Sequence, residues 1–409
     1  MLSFPLNRLS VGLALAGLSG LADAAGFALI EQNASGLGNA YAGAAAVAED
    51  ASTVYFNPAG MTLLPDRQFV VAGHLIKPKT KFSGTVTPAA IGGGQGGDAG
   101  DLAFVPNAYF AFRVTPQMHL GIGLNSPFGL KTEYDPGWIG RYQAITSELK
   151  TVNINPSVAY KVSDTLAIGA GLNLQRVDAE LTNLTGVGLA KVQGDDYGWG
   201  FNVGALWQLA PNTRLGLAYR SAIDYKLDGD VHFSGMPALN GDITAKVTTP
   251  DSASLSVFHQ LNAKWDVLAD ITWTGWSKFD KLAIYRTSGA LLSSTPENWQ
   301  DILRYSLGAT WHVSDKLSLR GGIAYDEAPV SDRYRTPRIP DGARTWVAVG
   351  GQYRLSRQGA LDVGYAHLFV NDPGLDAAAP ATLITPANTL KGDYQSQVDI
   401  LSVQYTHSF

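Results

Sequence analysis

Between Leu166 and Gln175 every second residue is apolar: Leu166, Ile168, Ala170, Leu172 and Leu174 alternate with Ala167, Gly169, Gly171, Asn173 and Gln175. Successive side chains of an extended chain point to opposite faces, so this stretch makes a strand with one apolar face and one small or polar face. The alternation recurs at Trp199, Phe201, Val203, Ala205, Trp207 and Leu209, and again at Leu303, Tyr305, Leu307, Ala309, Trp311 and Val313. Followed along the chain it predicts fourteen strands, near 67–81, 103–114, 117–125, 147–162, 165–182, 196–209, 213–234, 242–258, 262–287, 299–313, 316–327, 343–356, 359–371 and 395–409. Short turns such as Thr115-Pro116-Gln117, Ser163-Asp164 and Ser314-Asp315 alternate with long loops at 82–102, 126–146 and 328–342. An even number of antiparallel strands, with short turns at one end and long loops at the other, describes an all-β, 14-stranded barrel of the bacterial outer membrane. A β-sandwich would lack that asymmetry, and its outward face would be polar.

The two ends of the chain agree. Arg8, the apolar run Val11 to Leu21 and Ala22-Asp23-Ala24 have the form of a signal peptide over residues 1–24, and no later stretch supplies the roughly 18 apolar residues of a spanning helix. At the other end Leu401, Val403, Tyr405 and His407 alternate up to Phe409, the pattern of an assembly signal for the barrel assembly machinery. Only 16% of the chain is charged, with 45 glycines and 17 tyrosines, which suits a protein with little water-facing exterior. Trp265, Trp273, Trp276 and Trp311 near strand ends suit interfacial girdles. A net charge of -5 without a lysine-rich face excludes nucleic acid as a partner, and the absence of cysteine excludes disulfides and thiolate metal sites.

Fourteen strands fall between the barrels of about eight that side chains fill and those of about sixteen that hold an aqueous channel, so the lumen needs an obstruction. Residues 25–65 are the stretch left over, with Arg67 onward forming wall (66–409). The segment is rich in small residues, from Gly36 and Gly38 through Ala44, Ala45 and Ala46, while Phe27, Leu29, Tyr41, Val54 and Phe56 make it too apolar for a disordered tail. Asn57-Pro58-Ala59 ends it, because the residue before proline is biased away from helix. As an isolated motif it also reads as an ordinary turn.

Gly26-Phe27, Glu31-Gln32, Ser35-Gly36-Leu37-Gly38, Ala40-Tyr41, Asp50-Ala51 and Asn57-Pro58-Ala59 together resemble the N-terminal hatch of the FadL family of outer-membrane transporters. Val105-Pro106-Asn107, Ser126-Pro127-Phe128-Gly129, Trp273-Thr274-Gly275-Trp276-Ser277 and Arg338-Ile339-Pro340-Asp341 extend the resemblance over the mature chain. It implies passive uptake of long-chain fatty acids or, in the TodX-like branch, aromatic hydrocarbons. Phe27, Asn57, Pro58 and Ala59 would then form a hatch gate, acting beside a lateral opening at Ser126, Pro127, Phe128 and Gly129. The residues independently favour a kink there, since Pro127 removes a ladder hydrogen bond and Gly129 relaxes the backbone.

The resemblance also implies capture in the loops after the third and fifth strands, where Trp138, Ile139, Tyr142, Leu181 and Leu184 would form an apolar groove. Arg220, Arg304 and Arg320 face the lumen by parity and are candidate carboxylate partners, although an ion-pair network bracing segment and wall is the reading favoured for any one of them. Ala283 stands where the enteric fatty acid transporter has a lysine, which leaves room for uncharged hydrophobes. Past the signal peptide there is no Gly-x-Ser-x-Gly elbow, and the seven histidines never fall at His-x-x-x-His spacing. The expectation is a monomeric transporter with no catalytic, cofactor or metal site, whose partners are a hydrophobic small molecule, outer-membrane lipid and lipopolysaccharide. A general porin, a barrel-embedded lipid hydrolase and an adhesive barrel are the rivals.

Overall fold

The computed structural model describes residues 26–409, so the signal peptide expected over 1–24 lies outside the described residues. Fourteen strands form one closed sheet. The first six are β1 (Arg67–Thr87), β2 (Ala103–Arg113), β3 (Met118–Asn125, then Gly129–Glu133), β4 (Thr146–Lys161), β5 (Leu166–Thr185) and β6 (Gly188–Ala210). Four interrupted strands follow: β7 (Thr213–Arg220, then Ile223–Phe233), β8 (Gly241–Thr249, then Ser252–Asn262), β9 (Trp265–Thr274, then Lys281–Arg286) and β10 (Leu291–Pro296, then Ile302–His312). The last four are β11 (Leu317–Asp326), β12 (Arg344–Arg354), β13 (Gly359–Val370, then Gly374–Ala379) and β14 (Asn388–Ser408). Each pairs antiparallel with the next, and β1 closes the barrel on β14 from Gln68↔Ser408 to Thr87↔Thr389.

The alternation fixes which face is which. Leu172 and Leu307 are each 59% exposed on the outside, whereas their neighbours Asn173 and Ser306 are 1% and 3% exposed on the inside. Apolar side chains outward on strand after strand would be unfavourable against water, and form the band that faces lipid. Trp265 and Trp311 stack on this face with ring centroids 5.8 Å apart, as girdle residues. Trp276, by contrast, is fully buried in the break of β9 and belongs to an internal cluster.

Inside the wall lie α1 (Ala34–Leu37), α2 (Ala44–Val47), α3 (Thr53–Phe56) and a 3-10 turn over Pro58–Leu63. Helices of four residues are not stable alone, so the wall holds them. Leu37 and Tyr41 pack on Trp346, Leu368 and Ile400, while Val54 and Met61 pack on Val70, Tyr109 and Ala159. Close approach of backbone to wall needs glycine. A Cβ on Gly204 would stand 2.0 Å from Asn57 Oδ1, and one on Gly216 would stand 2.1 Å from the Ala45 carbonyl.

The strands depart from the sequence reading in several places: β1 continues to Thr87, β14 starts at Asn388, and β7, β8 and β9 are interrupted. The hairpin of β5 and β6 runs out to Thr185 and Gly188, where the alternation predicted loop over 183–195. Its outer part carries cross-strand polar pairs, including Glu180↔Gln193 and Asp178↔Asp195, so it lacks the apolar face that marks a strand in lipid.

Candidate functional site

Main-chain pairing in the wall lapses in several places, between β6 and β7 and at the breaks of β8, β9 and β10, and also between β2 and β3, where the beginning of the internal segment lies. Pairing of β2 with β3 stops at Ala108↔Leu124, so Ala103–Asn107 has a partner only on the β1 side. On the other flank β3 pairs with β4 up to Asn125↔Asn153 and resumes at Gly129↔Lys150, four steps against three. Beyond the break, Gly129–Glu133 pairs with β4 alone apart from one bridge, Gly100↔Thr132. Pro127 has no amide hydrogen to offer a neighbour.

The beginning of the internal segment occupies the vacated edge. Leu29 N–H donates to the Pro127 carbonyl at 2.8 Å, and Gly129 N–H donates to the Phe27 carbonyl at 3.0 Å, around the bridge Ala28↔Phe128. Gln32 Nε2 donates to the Ser126 carbonyl at 3.1 Å, and Asn107 on β2 donates to the Glu31 carbonyl at 2.8 Å. Residues 27–32 thus bridge the two strand edges that do not reach each other. Thr151 on β4 fixes the break itself: its hydroxyl accepts from Phe128 N–H at 3.0 Å and donates to the Phe128 carbonyl at 2.7 Å.

Two cavities meet here. The larger, about 700 Å³, runs from Tyr41, Arg220 and Arg304 in the lumen to Ser126–Gly129 and to Leu102 and Phe104, which are on the outer face. The smaller, about 90 Å³, lies toward the long loops among Leu181, Val192, Leu227, Ile243 and Ile284. Phe27, Leu130 and Leu149 line both, so the Phe27 ring stands in the partition. It is held edge-on by Trp276 at 4.7 Å and by Phe128 and Phe279 at 6.0 and 5.8 Å. Asp341 in the loop after β11 accepts from Gly26 N–H and pairs with Arg344 at 3.1 Å, anchoring the segment at its outer end.

Two ionisable groups line the smaller cavity without an ion-pair partner within 4 Å among the described residues: Arg338, in the loop after β11, and Glu297, in the break of β10. Arg338 contacts only neutral oxygens, at 3.1 to 3.4 Å, from Thr146, Ser147, Thr182 and Asn183. Burial pulls its guanidinium down to about 10, against the pull of the Glu297 charge. Burial likewise pushes the Glu297 carboxyl up to about 8, offset in part by the Trp299 indole and the Arg338 charge. A chain seated among the apolar residues would present its head to this pair, and an unpaired buried cation favours an anionic head.

Residues 15–409 match the family model described as Outer membrane protein transport protein (OMPP1/FadL/TodX). The chain belongs to this family. It is 33% identical to outer membrane protein P1 of Haemophilus influenzae, with 90% of each chain covered. It is 29% identical to the long-chain fatty acid transport protein of Escherichia coli, over 89% of this chain and 92% of that protein. The crystal structure of a Pseudomonas aeruginosa FadL homologue superposes with a TM-score of 0.89 at 26% identity, covering 94% of this chain and 100% of that one. The protein is therefore an outer-membrane transport protein rather than an enzyme, and its closed barrel is the family fold.

Within this transporter the residues singled out by sequence are divided among several places. Phe27, Ser126, Pro127, Phe128 and Gly129 come together at the break. Asn57, Pro58 and Ala59 do not join them, although the sequence reading put the two motifs side by side. Asn57 is fully buried against β6, donating to the Ala45 and Ala205 carbonyls at 2.7 and 3.0 Å and accepting from Ala59 N–H at 3.1 Å. It fastens the far end of the segment to the wall.

The expected loop groove is likewise divided. Leu181 lines the smaller cavity, but Trp138 is completely buried, stacked on Tyr134 at 4.0 Å with its N–H given to the Ala144 carbonyl. Ile139 is buried beside it, in the core around which the loops fold. Tyr142 and Leu184 are half-buried near Arg141, outside both cavities.

The three lumen arginines are committed to the internal segment. Arg304 pairs with Asp326 at 3.0 Å and donates to the Ala40 carbonyl at 2.8 Å. Arg320 joins Asp362 and Glu49 at 2.5 and 2.9 Å, and Arg220 donates to the Tyr55 carbonyl at 3.0 Å. Arg220 and Arg304 also border the larger cavity. Phe409 N–H donates to the Arg67 carbonyl at 3.0 Å at the short-turn end. Sequence reasoning missed Thr151, Arg338 and Glu297. Only Arg338 carried a signal, as a cation inside the Arg338-Ile339-Pro340-Asp341 motif.

Proposed function

We propose that this transporter carries monocarboxylic hydrophobes of the long-chain fatty acid class passively inward across the outer membrane. The ligand enters through the long loops and brings its head and the adjoining part of its chain into the smaller cavity, with the head toward Arg338. It passes the Phe27 partition into the larger cavity and leaves sideways at the break of β3. The observation that carries this reading is that the open edge at Pro127–Gly129 is closed by Phe27–Leu29 of the internal segment rather than by a strand. At the edge itself the closure is two main-chain hydrogen bonds, each about 0.5–1.5 kcal/mol net, fewer than a strand pair of the same length would make.

The fatty acid transport activity named for the Escherichia coli relative supports the ligand class, and so does a buried arginine that no carboxylate within 4 Å neutralises. The test is uptake of labelled oleate by cells in which this chain is the sole transporter of its kind, together with conductance in planar bilayers. Oleate accumulation with little or no conductance is expected. A large open-channel conductance without oleate uptake would instead make the protein a general porin.

A further inference from the structure

Lys77, Lys79 and Lys81 stand in a row on the outer face of β1, all exposed. The same face carries Phe69, Val71 and Leu75 just below them, 37–43% exposed in the lipid-facing band. β1 climbs from the short-turn end at Arg67 toward the long loops, which in outer-membrane barrels face the exterior. The lysines therefore begin one step above the apolar band, at the level of the outer-leaflet headgroups. From Lys77 to Lys81 is four residues, about 13 Å at the usual strand rise.

Three unpaired bases in one row on a single strand distinguish this site. Several bases on other strands are paired within the wall, Lys150 with Glu148, Arg176 with Asp178, Lys191 with Glu180 and, on the adjoining β14, Lys391 with Asp376, whereas Lys226 and Lys246, opposite each other on β7 and β8, form a smaller unpaired set among the described residues. Among the described residues none of Lys77, Lys79 and Lys81 has an ion-pair partner. Asp399, across from Lys77 on β14, is occupied by His367 at 2.8 Å and Tyr365 at 2.6 Å, and Lys79 and Lys81 face Gln397 and Gln395. Asp101 nearby is bound to Lys131. Three like charges on alternate residues of one strand repel one another, and in a chain of net charge -5 this local excess calls for an external anion.

We propose that Lys77, Lys79 and Lys81 bind the phosphates of an outer-leaflet glycolipid whose disaccharide headgroup is phosphorylated at both ends, that is, lipid A. The headgroup lies along the row, and its acyl chains descend over Leu75, its β2 partner Phe104 and its β14 partner Leu401. The site is on the barrel exterior and does not depend on which ligand the lumen carries.

The test uses the full mature chain in detergent micelles and fluorescent bisphosphorylated lipid A, titrated against wild type, a K77Q/K79Q/K81Q variant and a K77R/K79R/K81R variant. Heat-modifiable migration on gels checks that each barrel is folded. The expected result is affinity at least tenfold weaker for the glutamine variant, retained for the arginine variant, with wild-type affinity falling as salt rises. Equal affinity of wild type and the glutamine variant, or equal affinity of wild type for lipid A stripped of phosphate, would overturn the proposal. So would an effect of the glutamine variant on oleate binding with none on lipid A, since the row would then serve the transported acid.

Discussion

Thr151 grips Phe128 at both ends of one residue, its hydroxyl accepting from the Phe128 amide at 3.0 Å and donating to the Phe128 carbonyl at 2.7 Å. This one side chain does for the break of β3 what a neighbouring strand would otherwise do. Thr151→Val keeps the shape and removes both bonds, at a cost of about 1–3 kcal/mol if the Phe128 groups stay unsatisfied. Amide hydrogen exchange at Phe128 and Gly129 is expected to speed up at least tenfold, with barrel assembly unchanged.

The Asn57 side chain makes three hydrogen bonds with no exposure to solvent, two of them donated to carbonyls that would be left unpaired. Asn57→Ala is expected to loosen the internal segment by about 2–4 kcal/mol while the wall still forms. Gly204→Ala should act alike from the wall side, because its Cβ would fall 2.0 Å from Asn57 Oδ1. Single-channel recording is the readout, with small ionic leaks in both variants where the wild type is silent.

Arg338→Leu separates the head of the ligand from its chain. Losing a charge-assisted bond in a buried site is worth about 1.5–3 kcal/mol, so oleate affinity is expected to fall by roughly ten- to a hundredfold. Methyl oleate, which has no carboxylate, should bind wild type and variant alike. Equal losses for both ligands would assign Arg338 to packing.

Glu297 is expected to make that binding pH-dependent. Its carboxyl, pushed up to about 8 from an ordinary 4.5, is neutral at pH 7 and leaves Arg338 free for a ligand. Above pH 8 it ionises, competes for Arg338 and repels a carboxylate, so oleate affinity should decline there and Glu297→Gln should flatten the profile. The sign for stability follows. The folded state holds a proton that the unfolded state has released, so the contribution of Glu297 is greatest below about pH 4.5 and is lost as pH rises toward 8.

The wall was legible because the lipid imposes a period of two on every membrane-facing stretch, as Leu303 to Val313 shows. The need for an internal segment followed from the strand number, and Pro127 announced the break by its missing amide. What stayed hidden depends on contacts between residues far apart in the chain. Trp138 read as a capture residue because apolar loop residues suggest binding, yet Tyr134 and Phe82 bury it. Arg220, Arg304 and Arg320 face inward as parity requires, but parity says nothing of the carbonyls of Tyr55 and Ala40 or the carboxylate of Glu49 that await them. Asn57 and Pro127 both belong to recognisable motifs, and only the path of the segment between them shows that Phe27 and Leu29, not Asn57, meet the break.

The proposed gate can be locked directly, since the chain contains no cysteine. Ala28 and Phe128 are bridge partners, and such pairs have Cα atoms about 4.5–5.5 Å apart, within the span of a disulfide. The deciding measurement is oleate uptake by cells carrying Ala28→Cys with Phe128→Cys, before and after reduction. Uptake abolished in the oxidised protein and restored on reduction is the expected result. Uptake at the wild-type rate through the oxidised, fully cross-linked barrel would contradict a route that opens between Phe27–Leu29 and the β3 break.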